Sequence, residues 1–330
     1  QFLKENNYKL SDNERFQVFL TNTLEPILDV EPNLFVPTLS KEGTQAQSVK
    51  DKPILVICGN PPYSYTSKNN GDWIKNILKG NDIYATKKTA HQANYFEVDG
   101  KKLQERNPKG LQDDYVKFIR FAQYKMDNVD EGMVGIITNH SFLDNPTFRG
   151  MRQSLLKTFD QLYFIDLHGN AKKKEITPEG TKDENVFDIE QGVAISIMVK
   201  NRALPKKIYH SDMWGLREKK YNECYEKDIE TIEKQEIKPQ SPFYLFIPKN
   251  YGLWGKYEKF ISVKDIFRLT STGVKTHRDH FAIALDKETI IRRLKQFIDL
   301  SVDSEEIKRK YNLKDTRDWK IDEKRKILHS

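Results

Sequence analysis

Residues 60–63 read Asn-Pro-Pro-Tyr and follow the apolar run that begins at Ile54. Asn60 carries a carboxamide oxygen, and Pro61 carries a backbone carbonyl with no N–H of its own. Two acceptors at one spot suit an exocyclic amine, which has two hydrogens to give. Tyr63 adds a ring face on which a base can stack. Adenine N6 fits this arrangement. Its lone pair is delocalised into the ring, so it is a poor nucleophile. Drawing both N6 hydrogens toward acceptors favours a more tetrahedral nitrogen and aims the lone pair at an electrophile. Such catalysis is positioning plus polarisation and needs no strong general base. The plain alternative is an Asn-Pro turn that closes a strand. The apolar run before the motif and the tyrosine after it favour a site.

A site of this kind needs a strand whose end a ligand can reach. Lys52–Asn60 is nearly continuous apolar sequence, as expected of a strand buried on both faces. In parallel sheets, ligands sit at the C-terminal ends of strands. Asp113–Met126 reads as a helix with Tyr115, Phe118, Ile119 and Ala122 on one face and two acids at its start. Glu131–Leu143 is a second buried strand after a glycine turn, and residues 147–159 a second helix. Residues 160–169 and Gln191–Lys200 are further strands, and Arg15–Asn22 is a short β-prone run. Strands alternating with helices predict an α/β domain with a mostly parallel sheet. The stretch between 169 and 191 is polar, with Pro178 and Gly180 and no helical pattern. A long hairpin there makes one flanking strand antiparallel. Beyond about residue 205 the pattern weakens into a charged helix or linker, two apolar islands and an exposed helical tail.

The chain has 330 residues, 37% hydrophobic and 31% charged, which is polar but sufficient for a core. A net charge of +7 fits a polyanionic partner without requiring one. Cys58 and Cys224 are the only cysteines, which excludes a disulfide framework and a cysteine zinc site, and no metal is expected. A reducing cytoplasm is the expected compartment. No stretch approaches the roughly 20 apolar residues of a membrane span, and no signal peptide opens the chain. The first residue is Gln1 rather than Met, so the expectation is a piece of a longer polypeptide.

The sequence Gly59–Tyr63 after an apolar strand resembles motif IV of the amino-group DNA methyltransferases. Residues 113–126, 132–156, 166–175 and 183–200 resemble the following helix, strand–helix unit, and sixth and seventh strands of large single-chain restriction–modification enzymes. The type ISP class is the best match, with type IIG and phage-defence methyltransferases related. The resemblance covers residues 8 to 280. It implies a class I S-adenosylmethionine-dependent (Rossmann-like) α/β sheet lacking its first strands, with a mixed α+β C-terminal extension. Residues 1–205 would be the methyltransferase core fragment, and 206–330 the extension toward a target-recognition domain. The implied activity is methyl transfer from S-adenosylmethionine to N6 of a flipped adenine in double-stranded DNA.

By this resemblance Asn60, Pro61, Pro62 and Tyr63 are catalytic, and Tyr63 and Phe187 stack on the two faces of the flipped base. Asn139 lines the cleft, and Lys172 and Lys173, with Lys174 beside them, meet DNA phosphates or remain a solvated run. His140 reads as a satisfied loop histidine rather than a catalyst. Cofactor contacts fall to Asn22, Asn60 and Pro61, although Asn22 is an amide where the family carries an acid. The family's glycine-rich cofactor loop has no counterpart in the sequence, so the chain alone is expected to bind cofactor weakly and to be inactive. The rest of the parent polypeptide is therefore an expected partner, and no membrane is. The alternatives are methylation of RNA or of a protein glutamine, or a DNA-binding module without catalysis.

Overall fold

The computed structural model describes residues 52–63, 67, 69–81, 93–105, 108–267, 269, 276–316 and 319–329, with short stretches at 18–19, 22–25, 45–46 and 49. The apolar run after Lys52 forms a strand, β1, over Val56–Gly59. Helix α1 spans Asp72–Leu78, and a small hairpin pairs β2 (Glu97–Val98) with β3 (Lys101–Lys102). Helix α2 (Asp114–Asp127) leads to β4 (Gly132–Asn139), and α3 (Arg149–Thr158) to β5 (Gln161–Asp166). Strand β6 (Val193–Lys200), β7 (Lys207–Asp212), helix α4 (Arg217–Glu226) and β8 (Gln235–Ile237) follow.

The sheet order is β1-β4-β6-β5-β7-β8. Strand β1 runs parallel to β4, and β5 parallel to β7. Strand β6 is antiparallel to both β4 and β5, and β8 to β7. The long hairpin between residues 169 and 191 is therefore present, and β6 is its antiparallel member. Because β1, β4, β5 and β7 point the same way, their C-terminal ends share one edge of the sheet.

Burial along β4 and β5 alternates strictly, so each strand turns one side chain in two into the core. Val116, Ile119 and Met126 of α2 and Leu155 of α3 close over Val134, Phe164 and Met198. Phe246 joins them, stacked on Phe164 with ring centroids 4.3 Å apart. Lys200 extends its amine to the carbonyls of Met126 and Val129, satisfying groups that the end of α2 leaves open. Burial pushes the carboxyl of Asp113, just before α2, up to about 6, and neighbouring Asp114 adds to the rise.

Three expectations need correction. Strand β1 is not buried on both faces: Leu55 is 51% and Val56 57% exposed, because β1 is the end strand of the described sheet. Helix α2 has two apolar faces rather than one. Phe118 turns away from the main core toward Trp73, Ile74 and Ile77, which α1 brings to the other side. The division expected at residue 205 falls inside the sheet, since β7 and β8 lie beyond it; the two compact units are Gln1–Asn250 and Tyr251–Ser330.

The second unit is more than an exposed tail. Helices α5 (Lys287–Ile298), α6 (Ser304–Lys310) and α7 (Ile321–His329) enclose Phe281, Phe297, Ile307, Leu313 and Ile321. Buried Arg325 donates to the carbonyls of Phe297 (2.8 Å) and Val302 (2.7 Å). The Arg278 guanidinium lies 3.6 Å from the centroid of the Trp319 ring. The strand expected over Arg15–Asn22 lies largely outside the described residues.

Candidate active site

Asn60 leaves β1 at the shared C-terminal edge of the sheet. Asn60 and Pro62 are exposed, Pro61 is buried and Tyr63 is half-buried. The Tyr63 hydroxyl donates to the carbonyl of Ile137 on β4 at 3.4 Å, which sets the ring across the end of the neighbouring strand. Burial pushes the Tyr63 phenol up to about 12, so it stays protonated at neutral pH. Just beyond the motif, the fully buried Lys117 of α2 donates to Ser67 Oγ (2.5 Å) and to the carbonyl of Asn69 (2.6 Å). Asn69 also donates to Asp114 Oδ1 at 3.1 Å. These bonds fasten the chain that leaves the motif to the start of α2. Residues 113–118 thus position the motif as well as pack the core, a role that reading them only as a helix face missed.

Phe187 meets Tyr63, with ring centroids 5.7 Å apart and planes tilted by 52°. Its loop is held by residues that the sequence analysis did not single out. Asn185 accepts from the Phe187 N–H (2.9 Å) and donates to the carbonyls of Gly169 (3.0 Å) and Gln191 (2.6 Å). Arg217 of α4 donates to the carbonyls of Asn185 and Phe187 and to Asp188. Lys220 is fully buried and contacts the carbonyls of Leu167 and Glu184 and the Asp183 carboxylate, each within 2.7 Å. The visible signal was the spacing Asn-Val-Phe, because an Asn two residues before a fixed position is an Asx turn. Gly169 has φ +77°, and a Cβ there would come within 2.4 Å of the Asn185 backbone. Only glycine lets the two halves of the hairpin approach so closely.

Asn139 caps the turn at the end of β4, accepting from the Ser141 N–H at 2.8 Å. Its oxygen is thereby committed to the backbone. His140 follows and is buried, as expected of a satisfied histidine. Its Nδ1 lies 2.9 Å from Asp166 Oδ1, and its Nε2 faces the Asn170 amide at 3.1 Å. Burial pushes the His140 pKa down, but the hydrogen bond and charge of Asp166 outweigh it and hold the imidazole above its ordinary value. Lys172 pairs with Glu190 (3.1 Å) and Lys173 with Asp144 (3.8 Å), all of them well exposed. Pairs of this kind contribute little and release easily. Asn22 accepts from the Leu24 N–H (3.0 Å) and donates to Asn69 (3.4 Å). The structure therefore brings Tyr63 and Phe187 together at the end of β1, sets Asn139 in a turn, and holds Asn22 against Asn69.

Chemically, the arrangement offers an exposed amide beside a proline carbonyl and two aromatic rings. The rings touch each other. Bases stack at about 3.4 Å, so two rings flanking one base stand about 6.8 Å apart and parallel. Tyr63 and Phe187 must part and flatten to admit one.

Residues 265–329 match the family model described as the type ISP C-terminal specificity domain. Among solved structures, the chain is similar to the ATP-dependent type ISP restriction–modification enzyme LlaBIII bound to DNA, at TM-score 0.57 and 26% identity over 93% of this chain and 21% of that one. It is also similar to a nuclease-deletion mutant of the type ISP enzyme LlaGI in complex with a DNA substrate mimic, at TM-score 0.58 and 22% identity over 88% and 28% of the two chains. A DrdV–DNA complex matches at TM-score 0.57 and 22% identity over 84% and 28%. The two likenesses at 22% speak for the fold. The chain spans 21% to 28% of the lengths of these proteins. No curated protein matches it.

Proposed function

We propose that this chain belongs to a bacterial restriction–modification enzyme of the type ISP kind, in which it forms part of an adenine-N6 DNA methyltransferase of class I fold. The observation that carries the reading is the meeting of Tyr63 and Phe187 beside Asn60 at the shared end of β1 and β4. The match of residues 265–329 to a specificity domain and the likeness to a DNA-bound type ISP enzyme support duplex DNA as the substrate. The four co-directed strands β1, β4, β5 and β7, with antiparallel β6 inserted between β4 and β5 and antiparallel β8 at the far end, support the class I fold.

In this reading an adenine leaves the duplex and enters between the two rings, whose stacking offsets part of the cost of extrusion. The Asn60 carboxamide oxygen and the Pro61 carbonyl accept the two N6 hydrogens and hold the nitrogen lone pair toward the methyl donor. Tyr63 remains a neutral phenol throughout, which suits a stacking surface. S-adenosylmethionine would supply the electrophilic methyl group. The described residues fit the base better than the cofactor, since the Asn22 carboxamide is engaged by Leu24 and Asn69, leaving Asn60 and Pro61 to face it. The remaining cofactor contacts belong, in this reading, to other parts of the parent protein, a cytoplasmic enzyme.

The test is methylation of duplex DNA by the full-length protein, read by mass analysis of the nucleosides. N6-methyladenine should accumulate. Asn60→Ala should lower the rate by at least about 100-fold, by analogy with removal of one oxyanion-hole donor, while DNA affinity changes little. Methylation at wild-type rate by the variant, or a different methylated product, would overturn the reading.

A further inference from the structure

A second cleft, of about 330 Å³, opens beside the end of β4, where His140, His168 and His210 meet Asp166 and Asp212. One ring nitrogen each from His140 and His168 and one oxygen of Glu175 lie within 4.8 Å of one another. We propose that these three side chains bind a divalent late first-row metal ion of the zinc class.

Two imidazoles and a carboxylate are a donor set suited to such an ion, with a further position left open to the cleft. A tetrahedral ion with bonds of about 2.1 Å holds its ligand atoms about 3.4 Å apart, so the three atoms need to close only modestly. What surrounds the triad is built for this chemistry. Histidine ligands of metals almost always donate their other ring N–H to a carboxylate or carbonyl. Here Asp166 holds Nδ1 of His140, and Asp212 holds Nε2 of His168 at 2.8 Å. The His168 ring is further fixed by stacking on Trp214, with centroids 3.3 Å apart. A Cβ on Gly192 would reach within 2.4 Å of the His140 ring, so that ring is fixed as well. Glu175 is oriented by the Asn170 N–H, which donates to its Oε2 at 2.8 Å. The Asn170 side-chain amide covers His140 Nε2 and must swing aside as the ion enters. Four carboxylates face the cleft (Asp144, Asp166, Glu175, Asp212) against one lysine, Lys173, which pairs with Asp144. The local charge therefore favours a cation. A bound ion would tie the first part of the β5–β6 hairpin to the end of β4. The site is separate from the methyl-transfer reading and stands or falls without it.

The test uses untagged protein stripped with a chelator and titrated calorimetrically with Zn2+, with Co2+ absorption reporting coordination. One equivalent should bind with a dissociation constant of about 1 μM or tighter. His168→Ala should weaken binding by about 100-fold or more, and Asp166→Asn by about 10–100-fold, the range for outer partners of metal ligands. Glu175→Gln removes only the charge of a half-exposed side chain and keeps an oxygen for the Asn170 N–H, so its fold should survive; it should weaken binding at least tenfold. Absence of binding tighter than millimolar, or unchanged affinity in Glu175→Gln, would overturn the proposal.

Discussion

Tyr63 and Phe187 lie far apart in the chain and meet in space, and the reason is local to each. Tyr63 is set by its hydroxyl bond to β4, and Phe187 by the Asn185 turn beneath it. If the pair clasps a flipped base, Phe187→Ala should cost about 1–3 kcal/mol of stacking, seen as a drop in kcat/KM for methylation of genomic DNA by the full-length protein. Phe187→Trp should retain most of the rate. An alanine variant with unaltered kcat/KM would leave the ring a merely structural role. The motif itself was legible because its residue types are unusual together at a strand end. Asn139 was harder to read, since an amide at the end of a strand serves a turn as readily as a ligand. The metal-ligating triad was illegible, because His140, His168 and Glu175 carry no motif spacing and depend on a hairpin fold to converge.

Among the elements, α4 has a weak apolar pattern and one of the most specific tasks. Read as a charged helix or linker, it instead drives Lys220 into full burial against Asp183, whose carboxylate also accepts from the Gly169 and Gly215 N–H groups. Removing one partner of a buried pair strands the other charge. Lys220→Ala should therefore destabilise the protein by about 3–5 kcal/mol, measured by urea unfolding. The Lys220→Met, Asp183→Asn double variant should recover much of the loss, and full additivity of the two changes would contradict a direct pair. No periodicity signals a single buried lysine in a polar helix, so its role appears only when the loop it clamps is in place. The strands and helices from β4 to β6 were legible because apolar period and turn residues agree there. Strand β1 misled for a physical reason: its composition is that of an interior strand, while in the described sheet it stands at the end.

For the molecule as a whole, the second unit shows how composition conceals a core. Phe281 lies in one of the apolar islands, but Phe297, Ile307, Leu313 and Ile321 are set apart by charged residues, and all five converge. Phe297→Ala should cost about 3–5 kcal/mol within that unit. Hydrogen exchange should then show lost protection across residues 276–329 with residues 108–250 unaffected; loss in both would mean that the units unfold together. The position of β6 has a consequence in time. It is paired along both edges, so β4 and β5 stand two strand spacings apart, about 9.6 Å, and never pair with each other in the finished sheet. A ribosome nevertheless releases both of them before residue 193. During those seconds of synthesis each presents an open edge that could zip onto the wrong neighbour. The loop that leads into β6 carries Phe187, so a nascent chain halted short of residue 187 carries the Asn60 motif with nothing yet made to stand across from it.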